Sequence, residues 1–406
     1  MPEAVIVSTA RSPIGRARKG SLVDMRPDDL TAAMVRAALD KVPELDAADV
    51  EDLMLGCGQP AGESGFNMAR AIAVLLGLDH VGGVTLNRYC SSSLQTSRMA
   101  MHAIRAGEGD VFISAGVETV SRFDRGSADG WPDTINPRFA EAGERTARAA
   151  AGGAPVWHDP RDDGNLPDVY LQMGQTAENV ASFRGVSRAD QDEFGVRSQN
   201  LAEQGIANGF WATDITPVTL PDGSTVSADD GPRAAVTLEK VSGLQPVFRP
   251  DGTITAGNCC ALNDGAAAVV IMSDTKAKQL GLTPLARIVS TGLTGLSPEI
   301  MGLGPVEASR KALTAAGMSI SDIDLVEINE AFAAQVIPCA RDLGVTWDKL
   351  NVNGGAIAIG HPFGMTGARI TSTLINSLRF HDKQFGLETM CVGGGQGMAM
   401  VLERLS

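Results

Sequence analysis

The sequence has few cysteines, and it has no apolar stretch long enough to cross a membrane. The six cysteines among 406 residues form no CxxC pair and no zinc-ligand spacing, and they are too sparse for a disulfide framework. The beginning of the chain lacks the basic start and long apolar centre of a signal peptide, and the last residues match no retention or peroxisomal signal. We therefore expect a cytoplasmic protein without membrane insertion.

Excess positive charge is also missing. The formal net charge of −14 argues against general attraction to nucleic acid or to anionic membranes, so a polyanionic ligand needs a local basic cluster. Aromatic residues make up only 4% of the chain, whereas hydrophobic residues make up 44% and there are 46 glycines. This length and composition predict a globular protein with two or three structural units.

Short apolar strands and amphipathic helices alternate through much of the chain. Residues 4 to 9, 50 to 55 and 111 to 117 read as strands, and residues 28 to 40 and 68 to 76 read as helices. The alternation predicts an α/β fold with a largely parallel sheet covered on both faces.

The second half of the chain repeats this order. Ile6–Thr9 returns as Ile288–Thr291, and a shift of similar size aligns Cys90 with His361. Ligands of doubly wound sheets bind outside the carboxyl ends of the strands. Two halves related by a pseudo-twofold axis would therefore bring the turns of Cys90 and His361 into one cleft.

The regular alternation fails between the two halves. Gly126–Pro137 and Ala151–Pro167 have the composition of irregular surface structure, whereas Gly174–Gly209 reads as helical. Gly265–Met272 then resembles a buried strand that rejoins the first half. The predicted units are an N-terminal core of residues 1–120 plus about 251–273, an inserted loop or lid domain of residues 121–250, and a C-terminal core of residues 274–406.

Cys90 follows a short strand and opens a helix within Leu86–Leu94. The serines after the turn are placed to cap this helix, and Gly107 is placed to end it. The N–H groups and dipole of a helix N-terminus stabilise a thiolate, which is a nucleophile, although most intracellular cysteines are buried small hydrophobes.

His361 lies in the glycine-dense turn Gly354–Gly367, where Pro362 suits the first turn of a helix. A lone histidine is usually structural, but this position favours a general base that works near neutral pH. The glycines lack the Lys-Ser/Thr that a P-loop requires.

Two further candidate residues lie where strands end. Cys391 begins the glycine turn Cys391–Met398, whose backbone N–H groups are free to face a ligand, although a hairpin with a buried cysteine is the alternative. Asn329 ends a strand and precedes a helix, so it is either an N-cap or a catalytic group at the strand's carboxyl end.

Taken together, these segments resemble the thiolase family, the acetyl-CoA C-acyltransferases. The signatures Asn-x-x-Cys-Ser-Ser, Asn-Glu-Ala-Phe-Ala, Gly-Gly-Ala-x-Ala-x-Gly-His-Pro-x-Gly and Cys-x-Gly-Gly-Gly-x-Gly occur here in the family's order, around Cys90, Asn329, His361 and Cys391. Further similar segments extend the resemblance over almost the whole chain. The resemblance implies a thiolase-like fold of duplicated αβαβα layered domains with an inserted loop domain.

The resemblance also implies reversible acyl transfer between 3-oxoacyl-CoA plus CoA and acyl-CoA plus acetyl-CoA, a reaction of fatty acid β-oxidation. Cys90 would carry the acyl group as a thioester after His361 takes its proton, and Cys391 would be the second acid/base. The enolate oxygen would bind His361 and a water held by Asn329, and the tetrahedral oxyanion would bind the N–H groups of Cys90 and Gly393. Coenzyme A is then a substrate, and no metal or redox cofactor is required.

Substrate contacts follow from the same resemblance. Arg233 would lie near the CoA adenine or phosphates, unless it is a solvated surface arginine, and Met173 and Phe332 would line the pantetheine and acyl channel. Gln172 and Cys260 stand where relatives often carry His and Ser, and the segment before Met173 is longer than usual. These departures bear on acyl chain length rather than on the chemistry. The family also implies a homodimer or homotetramer.

Three other functions fit parts of the pattern. A ketoacyl synthase shares the duplicated fold and the nucleophilic cysteine but characteristically uses two histidines, whereas the second position here is Cys391. A lipid-carrier-like binding protein would bind ligand without turnover, and a cysteine hydrolase would cleave acyl-CoA without free CoA. The presence of all four catalytic positions favours a thiolase.

Overall fold

A ten-stranded mixed sheet organises this computed structural model, which describes residues 2–125 and 134–406. The strands are β1 Ala4–Arg11, β2 Gly15–Arg16, β3 Asp52–Cys57, β4 Gly82–Leu86, β5 Val111–Thr119, β6 Val218–Thr219, β7 Thr225–Val226, β8 Asn263–Ser273, β9 Ala286–Gly295, β10 Leu325–Ile328, β11 Phe385–Val392 and β12 Gln396–Arg404. The helices are α1 Pro27–Leu39, α2 Met68–Leu75, α3 Ser92–Ala106, α4 Ala140–Ala150, α5 Met173–Arg184, α6 Arg188–Ala207, α7 Phe210–Asp214, α8 Leu238–Ser242, α9 Asp274–Gln279, α10 Gly304–Ala316, α11 Ala333–Leu343, α12 Ala356–Ile359 and α13 Thr366–Phe380.

The sheet runs in the order β10-β11-β12-β9-β1-β8-β5-β3-β4, with β2 paired to β8, and β6 and β7 form a separate ribbon. The α/β class is confirmed, but the expectation of a largely parallel sheet is wrong. Only β3–β4, β3–β5 and β10–β11 pair in parallel among the described strands. The turn Gly393–Gly395 joins β11 to β12 directly, and so short a connection requires an antiparallel pair.

The two sides of the sheet match strand for strand. From the central pair outward, β1, β8, β5 and β3 lie on one side, and β9, β12, β11 and β10 lie on the other. The central strands β1 and β9 are antiparallel, with Val5 opposite Arg287 and Ile6 opposite Ala286. An antiparallel central pair is the geometry that a twofold relation between the halves requires, which supports the predicted duplication.

Helices form the other layers of the fold. α3 and α13 pack on each other and share one core with both halves of the sheet, because Leu94, Met101, Ile370 and Leu374 belong to the same buried cluster. The helices α1 and α2 cover the outer face of the first half, and α10 and α11 cover that of the second. Gly367 permits the close approach of the central helices, since a Cβ there would overlap the backbone N of Leu94.

The chain between β5 and β8 adds α4 to α8 and the small β6–β7 ribbon. The predicted helical stretch Gly174–Gly209 consists of two helices, α5 and α6, separated at Gly185, whose φ is +62°. α4 was not predicted, and most of the predicted irregular segment Gly126–Pro137 lies outside the described residues. The domain boundaries stay a prediction, which the buried position of β8 between β1 and β5 supports.

A buried ion-pair network ties this inserted segment to the core. The fully buried Arg11 of β1 donates from Nε to Asp214 at 2.7 Å and from Nη1 to Asp229 at 2.6 Å. Asp214 also accepts hydrogen bonds from Ser372 and Asn376 of α13. The inserted segment therefore helps to hold the central helix α13 in place.

Within residues 2–125 and 134–406, no helix combines the length and the apolar character that a membrane span requires.

Candidate active site

Cys90 lies in the Tyr89–Ser91 turn directly before α3, as predicted, and α3 is followed by Gly107 in the left-handed region at φ +77°. The predicted serine cap is not formed by Ser91; instead the hydroxyl of Ser92 accepts the N–H of Arg88 at 2.9 Å. A Cβ at Gly393 would lie 3.2 Å from the ring of Tyr89, and the backbone N–H groups of Gly393 and of Cys90 itself act to lower the pKa of the Cys90 thiol. The thiol of the first half therefore lies beside the glycine turn of the second half.

Burial decides the protonation state of Cys90, which is only 7% exposed. The pKa of the Cys90 thiol is raised to about 12, chiefly by burial and in part by the negative charge of Glu118, although the N–H groups of Gly393 and Cys90 act to lower it. The backbone N–H groups favour the thiolate, but burial outweighs them, so a nucleophilic Cys90 stays a prediction that calls for a base.

Cys391 is fully buried within β11, opposite Gly397 of β12. Burial raises the pKa of its thiol well above the ordinary value, and negative charge on Cys90, Cys339 or Cys260 raises it further. The Tyr89–Ser91 turn packs against β11, so Cys90 and Cys391 lie on neighbouring elements. Cys391 is thus a buried cysteine in a hairpin, as the structural alternative predicted. It also lies on a strand that neighbours the Cys90 turn.

The imidazole of His361 is held in one orientation. Its Nδ1 lies 2.6 Å from Oγ1 of Thr366, and that hydroxyl donates its own proton to the carbonyl of Pro362 at 2.8 Å. Oγ1 therefore accepts from Nδ1–H, which leaves Nε2 as the unprotonated nitrogen. Pro362 does not occupy the first helical turn as expected, because α13 begins only at Thr366.

Asn329 contacts the free nitrogen of this imidazole. Its Nδ2 lies 3.3 Å from Nε2 of His361, and its Oδ1 accepts from Nη2 of the buried Arg369 at 3.3 Å. Because the arginine can only donate, this contact assigns the oxygen of the amide to Arg369 and its N–H₂ group to His361. The N-cap alternative for Asn329 is wrong, since α11 begins at Ala333 and Phe332 occupies the cap position.

The electrostatic environment keeps His361 neutral. Burial, together with the positive charge of Arg369, lowers the pKa of His361 to about 3. The imidazole therefore remains in its proton-accepting form throughout the physiological pH range.

The predicted substrate contacts fall into two groups. Met173 and Phe332 belong to one apolar cluster with Cys391, and the ring of Phe248 packs edge-on against Phe332 at 6.2 Å between centroids. Cys260 is half-buried next to this cluster, and its backbone N–H donates to the carbonyl of Ala331 at 3.0 Å. These side chains therefore lie in or next to the apolar cluster that contains Cys391.

The other two predicted contacts lie at the surface. Gln172 is exposed immediately before α5, and Arg233 is exposed with its backbone N–H bound to Oε1 of Gln199 at 3.0 Å. The geometry leaves the surface alternative for Arg233 open.

Sequence reasoning missed residues that hold the predicted ones in place. Thr366 orients His361, Arg369 orients Asn329, and Asn263 of β8 accepts the backbone N–H of His361 at 2.9 Å. The available signals were the position of Thr366 inside the glycine-dense turn and the recurrence of an arginine, at Arg98 and Arg369, in the two aligned halves. In the part of the chain that the structure describes, no cluster of three or more potential metal ligands is present.

The fold has five layers: two outer helix layers, the two halves of the sheet, and the central helices α3 and α13. One half contributes a thiol and the other an imidazole. This arrangement defines the class of thiolase-fold enzymes. Family models agree with this assignment along the chain: the thiolase N-terminal domain matches residues 4–275 and the thiolase C-terminal domain matches residues 282–404. The chain belongs to the thiolase family, and it is accordingly an acyltransferase that carries out the thiolase reaction.

Individual proteins resemble the chain over its full length. A 3-ketoacyl-CoA thiolase of Bacillus subtilis is 42% identical over 416 residues, which cover 99% of this chain and 100% of the relative. A 3-ketoacyl-CoA thiolase of Idiomarina loihiensis is 42% identical and is covered completely, as is this chain. The crystal structure of the Bacillus anthracis acetyl-CoA acetyltransferase is similar with a TM-score of 0.85 and 37% identity, covering 100% of this chain and 99% of that chain.

Proposed function

We propose that this chain is a 3-ketoacyl-CoA thiolase in which Cys90 carries the acyl group and Cys391 handles the proton of the acetyl unit. The names of the full-length relatives support the substrate class, and fatty acid β-oxidation is the process in which it fits. The observation that carries the proposal is the packing of the Tyr89–Ser91 turn, which holds Cys90, against β11 and the glycine turn that follows it, which hold Cys391 and Gly393.

In the first half-reaction, the Cys90 thiol gives its proton to Nε2 of His361, and the thiolate attacks the 3-oxo carbon of 3-oxoacyl-CoA. The bond between C2 and C3 breaks, and its electron pair passes to C2 as the enolate of acetyl-CoA. The enolate takes a proton from the Cys391 thiol. Cys90 is left as an acyl thioester, and acetyl-CoA departs.

In the second half-reaction, the Cys391 thiolate takes the proton of the free CoA thiol, which attacks the thioester carbonyl. Acyl-CoA leaves, and Cys90 regains its proton from His361. Condensation follows the same steps in reverse, with Cys391 removing a proton from the methyl group of acetyl-CoA. Metabolite levels set the direction, because the enzyme accelerates both.

Two oxyanions form in this sequence, and each needs donors where the charge develops. The N–H groups of Cys90 and Gly393 are proposed to bind the tetrahedral oxyanion, which their lowering effect on the pKa of the Cys90 thiol and the packing of Gly393 against Tyr89 support. The enolate oxygen is proposed to bind His361 and a water held by Asn329. Arg369 orients the N–H₂ group of Asn329. Coenzyme A acts as a substrate, and no step calls for a metal or a redox cofactor.

The apolar side chains around the thiols support an acyl and pantetheine channel lined by Met173, Phe332 and Cys260. We place Arg233 and Gln172 at the outer, CoA-binding end of this channel, and their exposure is consistent with that position. Acyl chain length is expected to depend on the inserted segment that precedes Met173.

A homo-oligomer and a cytoplasmic location complete the proposal. β4 forms one end of the described sheet order, and a nearby groove is lined by the fully exposed Phe66 together with Val74 and Leu75, which are 50% and 54% exposed. An apolar groove beside an end strand supports an interface between copies of the chain. The six free thiols support a reducing location.

The proposal is tested by mixing the purified protein with acetoacetyl-CoA, with and without free CoA, and following turnover and the acylated peptide by mass spectrometry. We expect acetyl on Cys90 and acetyl-CoA formation that depends on free CoA. Rapid hydrolysis without CoA would identify a cysteine hydrolase instead. Absence of acylation with acetoacetyl-CoA and with a series of longer 3-oxoacyl-CoAs would leave ligand binding without catalysis.

A further inference from the structure

Glu118 is a buried carboxylate at the carboxyl end of β5, and the mechanism above does not use it. It is 1% exposed. Its Oε2 accepts the backbone N–H of Gly58 at 2.8 Å, and its Oε1 accepts that of Gln59 at 3.2 Å, both in the loop after β3. The same Oε2 accepts the backbone N–H of Gly364 at 2.9 Å. One carboxylate therefore joins two strand ends of the first half to a turn of the second half.

The Gly364 contact matters because this turn carries His361. The backbone N–H of His361 is bound by Asn263 of β8, and the N–H of Gly364, three residues later, is bound by Glu118 of the neighbouring strand. Both acceptors belong to the predicted N-terminal core, whereas the turn belongs to the C-terminal one. The turn also lies directly on the strand ends, since a Cβ at Gly364 would overlap the carbonyl of Val117.

The charge of this carboxylate also reaches the proposed nucleophile. Burial raises the pKa of Glu118 to about 7, although its three backbone hydrogen bonds favour the charged form and offset part of the desolvation cost. The negative charge disfavours a thiolate at Cys90 and so raises the pKa of that thiol. Glu118 is thus linked by geometry to the His361 turn and by electrostatics to Cys90.

We propose that Glu118 is a positioning residue for acyl transfer, whose carboxylate fixes the His361 turn of one half against the Cys90 side of the other half. The inference rests on the roles proposed above for Cys90 and His361. Both carboxylate oxygens are used, because Oε2 accepts the N–H groups of Gly58 and Gly364 and Oε1 accepts that of Gln59, whereas a carboxamide would place an N–H₂ group at one of these two positions.

The test compares Glu118→Gln and Glu118→Asp with Glu178→Gln. Glu178 is a matched control because it is 4% exposed and also accepts backbone N–H groups, those of Thr253 and Ile254, but it lies on α5 and has no contact with the His361 turn among its hydrogen bonds. Three quantities are measured: kcat and KM for thiolysis, the melting temperature, and the pH dependence of Cys90 alkylation by iodoacetamide, read from the labelled peptide by mass spectrometry.

We expect Glu118→Gln to lower kcat by about 10²-fold with little change in KM, the loss typical of a small displacement of a reacting group. The midpoint of Cys90 alkylation should move to lower pH, because the negative charge is gone. Glu178→Gln should lower only the melting temperature. Glu118→Asp keeps the charge but shortens the side chain, so its alkylation midpoint should stay near that of the wild type while kcat falls.

Wild-type kcat and alkylation midpoint in Glu118→Gln would overturn the proposal, and so would matching behaviour of Glu118→Gln and Glu178→Gln. If Glu118→Gln does not fold, wild-type kcat in Glu118→Asp overturns it. These outcomes are separable from failure of the proposed function, in which the wild-type protein itself would not be acylated on Cys90. The alkylation profile needs no turnover and reports on Glu118 in either case.

Discussion

The 2.6 Å contact between Nδ1 of His361 and Oγ1 of Thr366 determines which nitrogen of the imidazole carries its proton. The hydroxyl proton of Thr366 is already donated to Pro362, so the threonine oxygen accepts from Nδ1–H. Nε2 is then the nitrogen that can accept a proton from the substrate side, and Asn329 contacts that same atom. A residue five positions along the chain thereby selects the working face of the proposed base.

Thr366→Val tests this selection. The valine has nearly the same shape but removes the acceptor, so we expect kcat to fall about 10-fold, in line with the free energy of one buried hydrogen bond. Thr371→Val is the matched control, since Thr371 is another buried threonine of α13 whose hydroxyl contacts Gly367 and Glu388. Equal kcat values in steady-state thiolysis by the two variants would contradict the role of Thr366.

Arg369→Met tests the electrostatic control of His361. The guanidinium charge helps to hold the pKa of His361 down, at about 3, so its removal should raise that pKa. Since imidazolium cannot accept a proton, the acid limb of kcat/KM should move to higher pH. Arg369→Lys keeps the charge and should retain the wild-type limb even if orientation of Asn329 is lost. Identical pH profiles for the methionine and lysine variants would rule out the charge effect.

Cys90→Ala and Cys391→Ala separate the two proposed thiol roles. Without the Cys90 sulfur no thioester can form, so covalent acylation should disappear. Cys391→Ala should still become acylated on Cys90 but should lose condensation, because no group remains to remove the proton from acetyl-CoA. Mass spectrometry of the acylated peptide and a condensation assay give both readouts, and condensation by Cys391→Ala at the wild-type rate would disprove the second role.

Arg11→Ala should destabilise the fold strongly. It leaves Asp214 and Asp229 without their buried partner, and breaking a buried pair in this way typically costs about 3–5 kcal/mol. Arg310→Ala is the control, since the Arg310–Glu307 pair is more than half exposed and should contribute about 0–1 kcal/mol. Denaturant unfolding measures both, and equal free energies of unfolding would refute the importance of the network.

Phe66→Asp tests the proposed oligomer interface. A charge in the groove beside β4 should weaken association, and sedimentation should then detect a smaller species than the wild type. Leu405→Asp, at another position that is 42% exposed, should leave the assembly intact. An unchanged sedimentation coefficient for Phe66→Asp would exclude this groove as the interface.

The sequence predicted features that depend on neighbouring residues better than those that depend on distant ones. β1, β3, β5 and the helix after Cys90 follow from local periodicity and agree with the structure. The direction of β8 was not predictable in this way, because it depends on where a strand returns after a long insertion. Burial is likewise a property of the assembled fold, which is why the pKa of Cys90 departs upward from the local helix argument.

The same distinction applies to the candidate site. Cys90, His361 and Cys391 can be recognised from the local sequence, because each lies in a glycine-rich turn or beside a predicted strand. Glu118 is inconspicuous, since its partners Gly58 and Gly364 are far apart in the chain and meet only after the halves associate. Periodicity cannot report a contact of that kind.

The position of β8 has a consequence for how the protein is made. This strand starts at Asn263, yet it lies between β1 and β5, which leave the ribosome much earlier. At a synthesis rate of roughly 5–20 residues per second, β1 and β5 remain for many seconds without β8, the strand that pairs with both of them in the folded protein. Nascent chains of this protein should therefore engage chaperones until residue 273 has emerged.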